Sequence, residues 1–492
     1  MKALLLSLFI STAAANLCGA QSPPSPANSL PVSISVFDRT RVASTQWYTA
    51  TPDAATYGYV ESLLRVGVAQ HTHHLDWQLE LAQPAMLGLP DDAVSPVAAQ
   101  GQLGLGGTYY ASNGNNTYPA AAFLKQGFLR YHFAGTDKTL RIGRFEFFDG
   151  QETQPESAAL AWLQSNRIAQ RLVGNFGFSN AQRSFDGVDA HYGAGTWDIT
   201  AMSGRADQGV FNMNGNPELN VDLHYLAFTK SASHEHLLFR GFALGYHDGR
   251  TGVVKTDNRP LAARKADHKN IRVGTYGGDL IAIVPAGPGQ LDFLAWGALQ
   301  NGQWGLLDQR AGSAAVEGGY HFTKLATALW LRGGWFRSTG DSNAANNQHN
   351  TFFQVLPTPR VYAQFPFYNL MNNTDEFVQL MDKPAKRVTV RSELHWLRLT
   401  SDSDLWYQGG GAFNNKVFGY VGRPCNGKPG LASVADISLD WNISKPFDIN
   451  FYYAHSWGKS VAQAIYTTGN TAQFGYVEFN YRWGVPQRPN IN

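Results

Sequence analysis

The sequence predicts an all-β fold: a closed transmembrane antiparallel β-barrel of about 18 strands. Three observations carry this prediction. Segment after segment alternates between apolar and polar side chains, which is the period of a strand with one apolar face. The connections between these segments alternate between short and long. The N-terminus has the features of a secretory signal, which takes a chain out of the cytoplasm.

Composition agrees with a barrel that has many strands and tight turns. Only 15% of the 492 residues are charged, which is low for a soluble protein, and the chain has 50 glycines and 63 aromatic residues (13 Trp, 21 Tyr and 29 Phe). Outside the extreme N-terminus, no segment approaches the roughly 20 apolar residues that a spanning helix needs. The formal net charge of +2 gives no reason to expect nucleic acid as a partner.

The N-terminal segment predicts a secretory signal peptide over residues 1–20. A charged start is followed by an apolar stretch and then by small residues up to Ala20, where we expect cleavage. Cys18 raises the alternative of a lipoprotein, but the residue before it is not the small one expected there. After cleavage Cys425 is the only cysteine, so no intramolecular disulfide can form. Residues 21–32 are rich in Pro and Ser and predict a flexible periplasmic leader.

Period-2 alternation runs through the rest of the chain. The clearest segments are residues 74–81, 219–226, 387–396 and 473–483. In each of them apolar side chains occupy one face, and polar or charged side chains occupy the other. Since a membrane barrel turns an apolar face to lipid and the opposite face to its lumen, we predict that Leu219, Val221 and Leu223 contact lipid.

The alternating segments define one barrel domain over residues 33–483, followed by a C-terminal tail at 484–492. We predict strands near residues 33–48, 57–70, 74–84, 122–133, 138–146, 183–193, 196–204, 218–229, 236–248, 269–284, 289–301, 313–322, 325–337, 385–399, 404–414, 432–443, 447–457 and 472–483.

The connections fall into two alternating sets. The short ones are residues 71–73, 134–137, 194–195, 230–235, 285–288, 323–324, 400–403 and 444–446. The long ones are residues 85–121, 147–182, 205–217, 249–268, 338–384, 415–431 and 458–471. This asymmetry is typical of outer-membrane barrels, which have short periplasmic turns and long extracellular loops. With an even number of strands, both termini lie on the periplasmic side, and the first and last strands can pair to close the sheet.

Alternation also predicts which charged side chains line the lumen. The arginines are Arg65, Arg130, Arg141, Arg272, Arg332, Arg387, Arg391 and Arg482. The carboxylates are Glu61, Asp76, Glu80, Asp189, Glu317, Glu393 and Glu478. In one interpretation these groups form a salt-bridged lattice that stiffens the wall. In the other, some of the arginines form a narrowing that selects polyanions, because guanidinium pairs bidentately with carboxylate.

The connection at residues 147–182 is the strongest candidate for a selective element. Aromatic side chains can stack on sugar faces, and arginines can pair with carboxylates, so the segment suits a uronic-acid solute. Its candidate residues are Trp162, Phe176, Phe178, Arg167, Arg171 and Arg183. In the alternative interpretation the loop only plugs the barrel mouth, and its arginines anchor it to Asp186 and Asp189.

No catalytic constellation is found, and we predict no enzyme, cofactor or metal. The run from His71 to His74 has the residue type of a metal site, but it lies on a predicted tight turn, and no set of cysteines or carboxylates completes it. A barrel enzyme of the lipase type is the rival from another class. It would need a Ser/His pair on the lipid-facing surface.

Two motifs give the chain a resemblance to a known family. The first is L-x-x-G-R at Leu140 to Arg144, then Trp162 and Arg167, then R-S-F-D-G-V at 183–188. The second is G-W-F-R-S-T-G-D at 334–341, followed by two phenylalanines. This pattern resembles the alginate-export family of outer-membrane β-barrels, over roughly residues 33–483.

The resemblance implies a monomeric barrel of 18 strands with an electropositive lumen that passes a uronic-acid polysaccharide by diffusion, without a cofactor. The motif residues carried over are Arg144, Arg167, Arg183 and Asp186, of which Arg183 and Asp186 are expected to be partly structural. We therefore predict an outer-membrane porin for anionic polysaccharide; the alternative is uptake of small anionic solutes. Outer-membrane lipid, the solute and periplasmic export proteins are the expected partners.

Overall fold

A computed structural model describes residues 32–49, 56–133, 137–232, 236–358, 362–365 and 368–484. The predicted signal peptide, nearly all of the leader and all but the first residue of the tail lie outside these residues. Their boundaries therefore stay predictions.

Eighteen strands form a closed antiparallel barrel. Its strands are β1 Val32–Gln46, β2 Thr56–His71, β3 Leu75–Leu87, β4 Phe123–His132, β5 Asp137–Phe145, β6 Phe185–Ala194, β7 Trp197–Asp207, β8 Glu218–Ala232, β9 Leu237–Asp248, β10 Ile271–Ala286, β11 Gly289–Trp304, β12 Leu307–His321, β13 Trp330–Ser338, β15 Asn373–Ala385, β16 Val388–Leu399, β19 Gly430–Asn442, β20 Phe447–Gly458 and β21 Thr471–Trp483. Each strand pairs with its chain neighbour, and β1 pairs with β21 from Val36↔Trp483 to Gln46↔Gln473. The barrel therefore has no free edge.

The shorter elements lie in the connections. Strand β14 (Gln348–His349) runs parallel to β12, and β17 (Leu405–Gly409) pairs with β18 (Tyr420–Pro424) as a separate hairpin. The helices are α1 Gly104–Ser112, α2 Ala158–Leu163, α3 Leu261–Ala266 and α4 Ser460–Ile465, and a π-helical turn at Gln164–Ile168 continues α2. Among the described residues, no helix is long and apolar enough to cross a bilayer.

The predicted number of strands is confirmed, but one assignment was wrong and one strand was missed. Residues 404–414 are not a barrel strand; they contain β17, and positive φ angles at Gly409 and Gly411 end it. The missed strand is β15, which was placed inside a loop at 338–384. It shows no alternation, because Phe377 points inward while Val378 is exposed on the lipid side, so both faces are apolar.

The connections change accordingly. The predicted short turn at 400–403 is wrong, since these residues begin a long connection that ends at 429. The short turn here is instead residues 386–387, between β15 and β16. One connection at the end with the long loops is short: only residues 305–306 join β11 to β12. Otherwise short turns gather at one end of the barrel and long connections at the other, as predicted.

A belt of large apolar side chains covers the outer wall. Each barrel strand contributes at least one such exposed residue: Val42, Val66, Leu79, Leu129, Ile142, Val188, Ile199, Leu226, Phe239, Tyr276, Leu299, Val316, Leu331, Val378, Leu394, Ile437, Phe451 and Phe479. This surface matches the lipid-facing band of outer-membrane barrels.

In the first half of β8 the predicted faces are reversed. Leu219, Val221 and Leu223 are at most 1% exposed, whereas Leu226 is 52% exposed. The buried three lie near the end with the long connections, and they belong to one hydrophobic cluster with loop residues such as Leu160. The prediction failed because the lumen at this end is filled by protein, so the inner face is apolar there.

Candidate functional site

The β5–β6 connection lies inside the barrel. We call residues 146–184 the crossing loop. Its polar contacts reach β1, β2 and β4 on one side and β9, β12 and β16 on the other. Because β1 and β9 are almost half a circumference apart in the strand order, the loop spans the lumen from wall to wall.

Three of the predicted arginines meet at one carboxylate. Arg167 Nε lies 2.8 Å, Arg171 Nη2 3.2 Å and Arg332 Nη1 3.1 Å from the Glu317 carboxylate oxygens. All four side chains are buried. Arg332 comes from β13 and the other two from the crossing loop, so this cluster joins the loop to the wall. The predicted lattice of opposite charges is therefore present. Here the Glu317 carboxylate already bonds three arginines of the protein.

Arg183 stabilises a junction of three connections. Its guanidinium donates to the carbonyls of Gly174 and Leu356 at 3.0 Å, of Gly410 at 2.9 Å and of Ala412 at 3.2 Å. These acceptors lie in the crossing loop and in the connections 339–372 and 400–429. Burial lowers the pKa of Arg183 to about 10, so it remains charged at neutral pH. Its role is structural, and it does not pair with Asp186.

On the β2 side, the loop is held by charge pairs around Glu146. Arg65 donates to Glu146 at 3.0 Å and to Glu80 at 2.7 Å, and Lys125 lies 3.4 Å from Glu146. Although burial favours the neutral acid, Arg65 and Lys125 lower the pKa of Glu146 to about 2. Arg65 is thus a lumen residue, as predicted, with two carboxylate partners.

The sequence analysis missed two arginines of β1 that hold the tip of the loop. Arg39 donates to the carbonyls of Gly177 and Ser179, both at 2.7 Å. Arg41 donates to the Phe178 carbonyl at 3.1 Å and bonds Glu478. Their alternation in the R-T-R sequence could have identified them as inward-facing.

Arg240 of β9 was missed as well, because its neighbours on both faces are apolar. It lies 3.3 Å from Glu152 and 3.8 Å from Asp149 of the crossing loop. Asp149 accepts hydrogen bonds from the amides of Leu172 and Val173. Burial raises the pKa of Asp149 to about 7 against the opposing effect of Arg240.

The predicted aromatic contacts are mostly buried. Trp162 packs against Trp330 with ring centroids 4.9 Å apart, and Phe176 packs against Phe211 at 5.4 Å. Phe178 is only partly buried and lies 4.2 Å from the Arg41 guanidinium. Of the three, Phe178 is the least buried.

Nearer the short turns, several predicted wall arginines are paired but partly accessible. Arg141 bonds Asp189 at 2.6 Å, Arg482 bonds Asp448, and Arg391 lies 3.8 Å from Asp440. These pairs are less buried than the Glu317 cluster.

Arg130 differs from these pairs. It lies next to Arg141 across β4 and β5, and its flanking residues Leu129 and Tyr131 are exposed on the lipid side, so it faces the lumen. Its other cross-strand neighbour, Asp76, bonds His132 at 2.7 Å. Within the described parts of the chain, Arg130 forms no ion pair.

Four candidate residues do not face the lumen. Arg272 is exposed between buried Ile271 and Val273, so the predicted side of β10 was wrong. Arg387 lies in the turn before β16, exposed, and donates to the Ile443 carbonyl. The motif residues Arg144 and Asp186 bond each other at 2.7 Å on the outer side of β5 and β6. They join neighbouring strands and contact no lumen group.

Metal and enzyme signals are weak in the described residues. The His71–His74 run forms a tight turn in which Thr72 donates to the Leu75 carbonyl. Asp137, His191 and Asp198 converge near the short turns, but Asp137 is three-quarters exposed, and the geometry is that of a salt-bridged cluster.

A Ser/His pair does lie on the outer wall, where Ser203 Oγ is 2.9 Å from His224 Nδ1. In the described residues no carboxylate bonds His224. The backbone around Ser203 belongs to paired strands, so its amides do not converge on a developing oxyanion. The pair lacks the orienting acid and the oxyanion donors that acyl transfer needs.

Comparison with known proteins gives a family and a fold. The model of the family described as "Alginate export" matches residues 109–458. Among curated proteins, no sequence matches the chain.

Solved structures with the same barrel include OccAB2 of Acinetobacter baumannii (TM-score 0.57, 8% identity, covering 92% of this chain and 98% of that one). OccK8 (OprE) of Pseudomonas aeruginosa has a TM-score of 0.54 at 9% identity, with the same coverage. OpdK of the same organism, solved with vanillate, has a TM-score of 0.53 at 7% identity and again covers 92% and 98%.

Proposed function

Because the chain belongs to the alginate export family of outer-membrane barrels, we propose that it is a passive channel for anionic saccharides of the uronic-acid type. Solute would move by diffusion through the space between the crossing loop and the wall, without a cofactor or an energy source. Selection would come from arginines that a carboxylate can reach.

The main observation behind this proposal is that Arg130 faces the lumen and forms no ion pair in the described residues. A guanidinium in a lumen without an acidic partner can pair bidentately with a solute carboxylate. Arg141 lies beside it and keeps part of its surface accessible even while it bonds Asp189. The two nearby carboxylates bond other groups, Asp189 to Arg141 and Asp76 to His132, so the Arg130 guanidinium is left for an anion in the pore.

The remaining lumen arginines support the proposal in a different way. Arg167, Arg171, Arg183 and Arg332 are buried and bond acceptors of the protein itself, so their part is to hold the crossing loop in place. A firmly held loop narrows the path and brings a solute close to the wall.

Uptake of small carboxylates is the second candidate. It is favoured by the similarity in fold to OpdK, which has been solved with vanillate. The same arginines would serve either solute, since both carry carboxylate. The length of the solute therefore distinguishes the two proposals.

Planar bilayers containing the purified protein provide the test. We expect anion selectivity and concentration-dependent block of the current by oligouronates, increasing with chain length from the dimer to the hexamer. Neutral oligosaccharides of equal length are the control. Block by monocarboxylates alone would favour the second candidate. A cation-selective channel that ignores both anions would overturn both.

A further inference from the structure

Outward-facing arginines lie beyond the apolar belt on the β10–β13 side of the barrel. Each is exposed between residues that are buried or, in the case of Ala311, partly buried, so each side chain leaves the wall away from the lumen. They are Arg272 of β10, Arg310 of β12 and Arg337 of β13. In the described chain none of the three forms an ion pair. Exposed Lys269 precedes β10 and adds another positive charge.

These charges sit at a defined distance from the lipid surface. Tyr276 and Leu299 face each other across β10 and β11 and are 53% and 70% exposed. Arg272 precedes Tyr276 by four residues in β10 and lies nearer the long connections. Four residues span about 13 Å along a strand. In a strand tilted by roughly 40°, this places Arg272 about 10 Å farther along the barrel axis than Tyr276. A headgroup layer is about 5–8 Å thick on each side of the hydrocarbon core. The arginines therefore reach the outer border of that layer.

Cross-strand pairing brings the groups together. Arg272 pairs in register with Gln303, and Asn301, two residues along the same strand, pairs with Arg310. The surface thus presents two guanidinium groups with amide side chains between them. Asp308 is the acidic group nearby, also exposed on β12, and it does not bond either arginine. The local balance remains positive.

We propose that this surface binds a phosphorylated, multiply acylated glycolipid of the outer leaflet, of the lipid A type. Its phosphates would pair with Arg272 and Arg310, because guanidinium matches phosphate bidentately. Its acyl chains would lie on Tyr276, Leu299 and Val316. A ligand with both anionic phosphates and several acyl chains meets both parts of the surface. The inference depends on the outer-membrane location, and it does not depend on which solute the channel passes.

Native mass spectrometry of the detergent-purified full-length mature protein tests this inference. The probes are bisphosphorylated lipid A, its dephosphorylated form and phosphatidylglycerol. We expect bisphosphorylated lipid A to bind most tightly, and Arg272→Gln with Arg310→Gln to weaken it by about tenfold or more, as expected for lost charge-assisted contacts. Arg387→Gln, exposed at the opposite end of the barrel, is the matched control and should bind as the wild type does.

Four results would overturn the inference. Equal binding of phosphatidylglycerol would show that the surface binds anionic lipids without selecting among them. Equal binding of the dephosphorylated form would remove the role of phosphate. An unchanged affinity in the double variant, or an equal loss in the control, would place the lipid elsewhere. Far-UV circular dichroism confirms folding of each variant, and channel conductance measured in parallel keeps this result separate from the proposed transport function.

Discussion

Arg183 in the crossing loop and Arg130 in the wall were both named from the sequence as candidates for solute contact, Arg183 with an expected structural part, and their surroundings differ. Arg183 is completely buried and donates to four carbonyls of three connections. Arg130 faces the lumen without an ion pair in the described chain. The difference teaches that an arginine in a pore protein can hold the pore's shape or contact its solute, and that its partners decide which.

The largest effect is expected where several buried charges depend on one partner. Replacing Glu317 with Gln leaves Arg167, Arg171 and Arg332 without their shared carboxylate. We expect the free energy of unfolding to fall by about 3–5 kcal/mol, the cost of breaking a buried ion pair. Urea titration in detergent micelles, followed by tryptophan fluorescence, measures it.

Glu376→Gln is the matched control for that experiment. Glu376 bonds Arg398 on the outer wall, where both side chains are more than half exposed. Solvent screens such pairs, so the loss should stay below about 1 kcal/mol. Equal losses for the two variants would show that the Glu317 cluster is not a special anchor.

The next effect concerns Arg183. Arg183→Met keeps most of the volume but removes a donor from four buried carbonyls, of which Leu356 keeps the Gly174 amide as a second donor, and this should cost about 2–4 kcal/mol. Because the carbonyls belong to the connections, we expect them to loosen before the barrel unfolds. Limited proteolysis should then cut within 339–372 or 400–429, and single-channel current should become noisier. Arg398→Met, at the exposed rim, should behave as the wild type; a protease-resistant Arg183→Met would contradict the anchoring role.

A smaller effect should follow pH. The pKa of Asp149 is about 7 in the folded protein and near its ordinary value of about 4 when unfolded. The folded state therefore binds the extra proton, and stability rises as pH falls from about 8 to 5, by at most a few kcal/mol at about 1.4 kcal/mol per pKa unit.

Asp149→Asn should abolish that part of the pH dependence, because the amide resembles the protonated acid. Urea midpoints at pH 8 and pH 5 measure the change for both proteins. A wild-type protein that becomes less stable toward pH 5, or an Asn variant with an undiminished pH dependence, would contradict the prediction.

The smallest effect on stability, and the one most specific to transport, is expected at Arg130. Arg130→Gln should change the free energy of unfolding by less than about 0.5 kcal/mol. It should lower the anion-to-cation permeability ratio by about twofold, read from reversal potentials. Arg272→Gln makes the same change on the outer wall and should leave the ratio unchanged. If Arg130→Gln leaves the ratio unchanged as well, Arg130 is not part of the selective path.

Arg183→Glu does not probe selectivity. It would place a carboxylate among four carbonyl oxygens in a buried site, so a change in current would report loop disorder. Arg391→Glu is the more informative substitution, because Arg391 is partly accessible and its contact with Asp440 is long.

Much of the architecture followed from the sequence. The alternation of apolar and polar residues and the alternation of loop lengths give the barrel, its strand number and its two unlike ends. The motif from Arg183 to Val188 gave the family. Alternation failed where both faces of a strand are apolar, as in β15, and where the lumen is filled by loops, as at Leu219.

The residues of the candidate site were harder to predict from the sequence. The alternation of residues along each strand correctly identified six arginines as inward-facing: Arg65, Arg130, Arg141, Arg332, Arg391 and Arg482. It misplaced Arg272, because β10 is apolar on the inside near the long connections, where Val273 packs into the core. It missed Arg240, because the residues beside it on both faces of β9 are apolar.

The sequence by itself determined that this chain forms a membrane barrel with a charged interior, since strand period and loop length are local properties. Only the tertiary structure decided which arginines are free. A guanidinium's role depends on the acceptors within hydrogen-bonding distance, and Arg167, Arg171 and Arg183 each bond acceptors that lie between 146 and 229 residues away along the chain. Long-range packing therefore occupied most of the predicted arginines and left Arg130 accessible.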